Sequence, residues 1–177
     1  MIGPEIETER LILRPPRAED FPFFCQLMQE EGARFIGGPL TPPEVWRGVC
    51  TLTGAWVISG FSMFSVIEKD TGQWIGRLGP WYPEGWPGTE VGWGILENAQ
   101  GRGLACEGAS AAMDYAVETL GWTEIIHNIE AENAPSIALA KRLGSRWLRE
   151  ATAPKPYEHI TWQVYGQSAD EWRARQD

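Results

Sequence analysis

The run Asn98–Ala109, NAQGRGLACEGA, sets Gly101, Gly103 and Gly108 around one arginine, Arg102, just ahead of a small-residue helical pattern. Glycines at such a turn let the backbone take positive φ and approach a ligand closely. The following helix starts near Leu104, so its unpaired N–H groups and its dipole face the turn, as in a phosphate cradle. A tight strand-to-helix turn that holds nothing has the same local sequence. Two nucleotide fingerprints fail on identifiable residues. GxGxxG needs a glycine where Cys106 stands, and its usual home is the first strand–helix unit, not a place past the midpoint. The Walker pattern needs lysine after its last glycine, and Gly108 is followed by Ala109.

The elements that must position this turn follow from the hydrophobic pattern. RLILRP (Arg10–Pro15) alternates as a strand, and Arg17–Glu31 carries Phe21, Phe24, Leu27 and Met28 at helical spacing. Thr41 with Pro42 and Pro43 opens a second helix. Phe61–Glu68 and Gln73–Trp81 form a hairpin about a turn at Asp70–Gly72. Thr89–Asn98 is the strand that enters the glycine turn. A helix follows over Glu107–Gly121, with Ala109, Ala112, Met113, Ala116, Val117 and Leu120 on one face. Then come a strand at Thr123–Ala131, a helix at Asn133–Gly144 and strands near Arg146–Ala151 and Glu158–Tyr165. Ser168 and Glu171 stand at capping-box spacing and open a terminal helix of about 168–175. Hairpins followed by β-α-β-α predict a mixed sheet with helices on its faces.

Composition narrows the partners. The chain has 177 residues, enough for one domain with a real core, and a net charge of −9. That charge argues against a nucleic-acid backbone as partner and suits a cationic one. Cys25, Cys50 and Cys106 are odd in number and far apart, and the histidines are His127 and His159, so no metal-ligand spacing is present. No run approaches the ~20 apolar residues of a membrane span, and the N-terminus has no secretory pattern. A cytoplasmic protein with free thiols, no metal and no membrane partner is expected.

Taken together, three segments resemble one family. Gln100-Gly101-Arg102-Gly103-Leu104-Ala105 matches the Q/R-x-x-G-x-G/A signature of the GNAT acyl-CoA-dependent N-acyltransferases, and the strand it needs stands before it. ENAPSIALAKRLG resembles the family's second signature through Asn133, Ser136, Leu139, Leu143 and Gly144. ETERLILRP with AED (Glu7–Pro15, Ala18–Asp20) resembles the opening of the branch that holds the ribosomal-protein N-terminal alanine acetyltransferases. The resemblance covers about residues 5–165. It implies an α+β (mixed α/β) single domain over 1–177. The sheet would be mostly antiparallel with six to seven strands, helices on both faces, and central strands splayed to hold CoA.

By the same resemblance, acetyl-CoA is the cosubstrate. Its pyrophosphate would rest on Gln100, Gly101, Arg102, Gly103, Leu104 and Ala105, mostly through backbone N–H groups, and its pantetheine arm would run beside Gly94, Ile95 and Leu96. Asn133 would contact that arm or fix the loop around it, and backbone N–H groups at Ile95–Leu96 would meet the oxyanion. The reaction is attack of an amine on a thioester, which needs a proton acceptor and a donor for the leaving thiolate. Here the chain departs from many relatives. The position of their general-acid Tyr is Ala140, and that of a base Glu is Asn128. Ser136 is the candidate donor, with helix capping as its alternative role. Glu90 is the first candidate base, ahead of Glu97, Glu130 and His127, and ordered water could replace them all.

Ten tryptophans are present, and five fall between Trp56 and Trp93. Trp81, Tyr82, Trp86 and Trp93 could line an acceptor pocket, or could pack a hairpin tip or a dimer contact. The expected reaction is acetyl transfer to a primary amine, on a protein N-terminus or a small molecule, with a homodimer left open. The alternative is a CoA-binding sensor or scaffold without turnover.

Overall fold

The computed structural model describes residues 2–155 and 157–175. The ends of the expected 1–177 domain, Met1 and Gln176–Asp177, therefore lie outside the described residues, as does Pro156. Eight strands run in the chain order β1 (Ile6–Glu7), β2 (Leu11–Arg14), β3 (Phe64–Glu68), β4 (Trp74–Trp81), β5 (Glu90–Ile95), β6 (Glu124–Ile129), β7 (Arg146–Thr152) and β8 (Thr161–Ser168). The helices are α1 (Phe21–Leu27), α2 (Pro42–Ile58), α3 (Leu104–Asp114), α4 (Ala134–Arg142) and α5 (Ala169–Arg173). The strands form one sheet in the order β1-β2-β3-β4-β5-β6-β8-β7. Its pairs are antiparallel except β5–β6, which is parallel.

Local chemistry explains these elements. Val45, Val49, Leu52 and Trp56 recur at helical spacing and bury one stripe of α2. Its start is fixed by Glu44, whose carboxylate accepts from the Thr41 N–H at 2.8 Å. α3 carries small residues because it lies close on β4. A Cβ at Gly108 would stand 2.7 Å from the Leu78 side chain. Ala109, Ala112 and Met113 are fully buried beside it. Gly72 takes φ +67° in the β3–β4 turn, where its N–H donates to the Glu68 carbonyl at 2.8 Å. Three apolar clusters result among the described residues, the smallest gathering Ile129, Ala140 and Tyr165. Of the other two, one gathers Leu78, Val91 and Leu104 with the buried face of α3, and the other gathers Phe24, Leu27, Val45 and Met63 around α1 and α2.

The architecture is the expected mixed α/β one, with differences of detail. The sheet has eight strands, not six to seven, because β1 spans two residues, too few to show alternation. The last strand runs Thr161–Ser168, not Glu158–Tyr165. Gly166 interrupts the apolar pattern there, yet it is required, since a Cβ would lie 2.7 Å from the Ile125 carbonyl. The expected Arg17–Glu31 helix divides into a 3-10 turn at Ala18–Asp20, α1, and a further 3-10 segment at Glu31–Ile36. α3 starts at Leu104, where the glycine turn placed its N-terminus and ahead of the apolar pattern that begins at Glu107, and it widens into a π turn at Tyr115–Thr119.

One buried ion pair ties the opening segment to the sheet. Asp20 takes both arms of the Arg14 guanidinium at 2.7 and 2.8 Å, and also accepts from the Arg17 N–H and the Ser65 hydroxyl. Burial pushes the Asp20 carboxyl up, but these hydrogen bonds outweigh it and hold the group below its ordinary value. Removing one partner strands the other charge, which costs about 3–5 kcal/mol. Asp20→Ala is therefore expected to lose about that much in urea unfolding, and a loss under 1 kcal/mol would contradict this role.

Candidate active site

The parallel pair β5–β6 meets at a single register position, Glu90 opposite Ile126, where the Ile126 N–H donates to the Thr89 carbonyl at 2.9 Å. Beyond that point the strands part. A cavity of about 630 Å³ opens there, lined among others by Arg77, Trp81, Trp86, Glu90, Trp93, His127, Asn128, Ser136 and Trp162. Residues of β5 alternate between its two sides. Glu90, Gly92 and Gly94 face α1 and α2, where a Cβ on Gly94 would meet Ile36 and Leu27. Val91 and Trp93 face the other way, and Trp93 reaches α4.

Glu90 lies at the closed end of this gap and is buried. One of its oxygens accepts from the Trp86 indole and from the Asn128 amide, the latter at 2.7 Å. Burial raises its pKa, and the hydrogen bonds from Trp86 and Asn128 only partly offset the rise. Such a carboxylate is displaced toward the pH at which an enzyme needs a proton acceptor. Asn128, which replaces the expected glutamate, thus orients a carboxylate from the neighbouring strand.

On the other side Ser136 sits in the first turn of α4. The structure gives the N-cap to Asn133, whose side-chain oxygen accepts from the Ser136 N–H at 3.3 Å. The Ser136 hydroxyl is therefore not the cap. It accepts from the Trp93 indole at 3.1 Å, which leaves its own proton free to donate. Ala140, at the position of the absent Tyr, is fully buried in the core.

The glycine turn has the anticipated geometry. Gly101 and Gly103 take φ +72° and +80°, values that side chains disfavour. A Cβ at Gly101 would meet nothing within 4 Å, so the space over the turn is open. Gly103 is the N-cap of α3 and no side chain caps the helix, so the N–H groups of Leu104 and Ala105 face outward for an anion. These features fit a pyrophosphate.

Several expectations need correction. Arg102 does not reach over the turn but pairs back with Glu68, which the guanidinium holds below its ordinary pKa. Its carbonyl accepts from Arg10, and Arg10 is itself held by Glu107 at 2.6 Å. Gln100 folds its side-chain amide onto the Ile95 carbonyl at 2.9 Å and spends its N–H on Glu97. The Leu96 N–H donates to the Ile75 carbonyl at 2.9 Å, so it cannot meet an oxyanion as expected. Glu97 is occupied too, with its carboxylate accepting from the Glu31 N–H.

His127 is excluded as a base. The Val91 carbonyl can only accept, so Nδ1 donates to it at 2.6 Å, and Nε2 accepts from the Ser145 hydroxyl at 3.0 Å. Burial lowers its pKa to about 4. The ring instead braces Trp93, with centroids 4.8 Å apart. Among the tryptophans, Trp81, Trp86 and Trp93 line the cavity, and Trp162 of β8 joins them 5.0 Å from Trp86. Tyr82 is half exposed on a separate surface groove beside Cys50. Arg77 and Trp162 were not legible as site residues, because nothing in their own segments sets the register that brings them here.

This geometry agrees with comparisons against known proteins. Residues 10–146 match the acetyltransferase (GNAT) domain. The chain is 31% identical over 140 residues to an N-acetyltransferase of Bacillus licheniformis named p20, covering 77% of this chain and 79% of that protein. An acetyltransferase structure from Agrobacterium tumefaciens superposes with a TM-score of 0.82 at 32% identity, covering 93% and 94% of the two chains. A ribosomal-protein-S5-alanine acetyltransferase structure from Vibrio fischeri shares the fold, with TM-score 0.74, 16% identity and coverage of 96% and 99%. The chain belongs to the GNAT acetyltransferases, as the three sequence segments implied. It is thus an N-acetyltransferase by family. No helix among the described residues is long and apolar enough to cross a membrane, and they hold no cluster of three or more metal-ligating side chains.

His127 gives a pH prediction. Its folded pKa of about 4 lies below the ordinary 6.5, so the unfolded chain binds the extra proton between these values. Stability is then full above pH 6.5 and falls as the pH drops toward 4, by up to about 3 kcal/mol from this group. Denaturant unfolding at stepped pH is expected to show that loss, and His127→Gln to flatten it. Equal slopes in both proteins would contradict a buried neutral imidazole.

Proposed function

We propose that the chain transfers an acetyl group from acetyl-CoA to a primary amine by direct attack within a ternary complex. The observation that carries this reading is the placement of Glu90. A buried carboxylate with a raised pKa stands where β5 and β6 part, at the start of the strand that leads to the glycine turn. The turn, with the free N–H groups of Gly101, Gly103, Leu104 and Ala105, takes the pyrophosphate. Gly94 and Ile95 lie beside the pantetheine arm. Asn133 supports the loop through its cap on α4, while Gln100 and Arg102 hold the turn in shape rather than touch the cosubstrate.

The chemistry follows from these groups. An ammonium gives its proton to Glu90, directly or through water, and its nitrogen then attacks the thioester carbonyl carbon. A C–N bond forms, the tetrahedral intermediate collapses, and the C–S bond breaks. The departing thiolate takes the Ser136 hydroxyl proton, which is not spent on the Trp93 indole, and the second proton of the acylated nitrogen passes through water to Ser136, so the serine is restored and the net proton released is the one on Glu90. No covalent enzyme intermediate is required, so Cys106 has no chemical role. Action as one unit in the cytoplasm belongs to the same reading, on a protein N-terminus or a small amine, with dimerisation left to measurement.

Three outcomes test it. Free thiol released from acetyl-CoA over a panel of amines is expected to show turnover, with kcat/KM rising with pH along a limb placed above the ordinary glutamate pKa of 4.5. Glu90→Gln is expected to abolish that limb and lower kcat by about a hundredfold or more. Gly103→Ala forces a side chain into the left-handed region at about 1–2 kcal/mol, so CoA affinity by calorimetry is expected to fall roughly tenfold. Unchanged affinity would contradict the cradle. Tight CoA binding without turnover on any amine would support a binding module instead.

A further inference from the structure

This inference rests on the acyl-transfer reading and concerns its acceptor. In the β4–β5 ladder Arg77 lies opposite Gly94, and Trp81 lies opposite Glu90. Arg77, Trp81, Glu90, Gly92 and Gly94 therefore project from one face of the sheet. Gly92 and Gly94 supply no side chain, and the tips of Met63, Ile36 and Leu27 reach over them between a cation and a carboxylate. Their α-carbons stand about 13 Å apart by strand rise, and both side chains line the same cavity.

Arg77 has the environment of a binding group without its ligand. The guanidinium is drawn out of water, which lowers its pKa, and Glu90 acts on it only through space. Its hydrogen-bond partner is the Met63 sulfur, a weak acceptor for a group with five donors. Among the described residues no carboxylate forms an ion pair with it within 4.0 Å, whereas Arg14 in the same sheet has Asp20 at 2.7 Å. At the other end the Asn128 side-chain carbonyl is buried with no partner, beside the amide that holds Glu90. A half-buried cation without an ion-pair partner and a buried acceptor without a hydrogen bond, both at one cavity, are each costly without a ligand. The walls between them are apolar, from Phe24, Met28, Ile36 and Leu40.

We propose that the acceptor is a small amine that also bears a carboxylate, of the apolar amino-acid type. Arg77 takes the carboxylate in its planar fork, and Glu90 with Asn128 receives the amine. An acidic side chain near a peptide N-terminus offers the same pair of groups, so both sources enter the test. Leucine, methionine, phenylalanine and tryptophan are compared with their decarboxylated amines and with a tetrapeptide carrying Asp at its second position. The expected result is at least a tenfold higher kcat/KM for one or more of the amino acids than for the matching amine. Arg77→Gln is expected to reduce that ratio tenfold, and Arg77→Lys to restore part of it. Equal use of acid and amine, or an equal fall for both in Arg77→Gln, would overturn the proposal while leaving acyl transfer intact. Preference for the tetrapeptide would overturn the small-acceptor assignment. If CoA binds and no amine turns over, acyl transfer fails, and calorimetry of the amino acids on the CoA-loaded protein decides. Binding that weakens tenfold in Arg77→Gln then supports the proposal, and binding that is absent or unchanged overturns it.

Discussion

The structure depends on one parallel strand pair that closes at a single position and then opens. Antiparallel neighbours can be joined by a hairpin, but β5 and β6 are parallel and need a crossover, which α3 supplies. That crossover begins at the glycine turn. The same connection therefore creates both the gap between the strands and the uncapped helix terminus beside it. Glu90 and Ile126 mark where the pair closes, and everything beyond them on β5 is free to face something other than β6.

Polar groups at the gap are organised by neighbours from distant segments. Glu90 is held by Trp86 from the preceding loop and Asn128 from β6. Ser136 is held by Trp93, and Trp93 is braced by a neutral His127 whose own nitrogens end on Val91 and Ser145. Glu90 and Ser136, the groups proposed to react, are thus each fixed by side chains from distant segments. Behind the glycine turn the logic is the same. Arg10, Glu107, Arg102 and Glu68 knit the turn to β2 and β3.

Much of this was legible in the sequence where a residue type answers a local requirement. Gly101 and Gly103 had to be glycine for their positive φ, and Thr41 with its prolines had to open a helix. Glu90 was singled out from its place at the start of a strand, and it does line the cavity. The illegible part depends on register across the sheet. Arg102 looked like a ligand-binding cation until its bond to Glu68, 34 residues away, was visible. Leu96 looked like an oxyanion donor until its N–H was found on Ile75. The capping role considered for Ser136 passed to Asn133, three residues earlier. Arg77 gave no signal, because its lack of an ion-pair partner among the described residues is a property of the folded sheet alone.

The proposed function requires that the free stretch of β5 and the glycine turn together hold the cosubstrate. Amide hydrogen exchange with and without CoA tests it residue by residue. New protection is expected at Ile95, Gly101, Gly103, Leu104 and Ala105, with Glu124–Ile126 at the closed end unchanged. Protection confined to the surface groove beside Cys50 and Tyr82, with the β5 and turn amides unaffected, would contradict it.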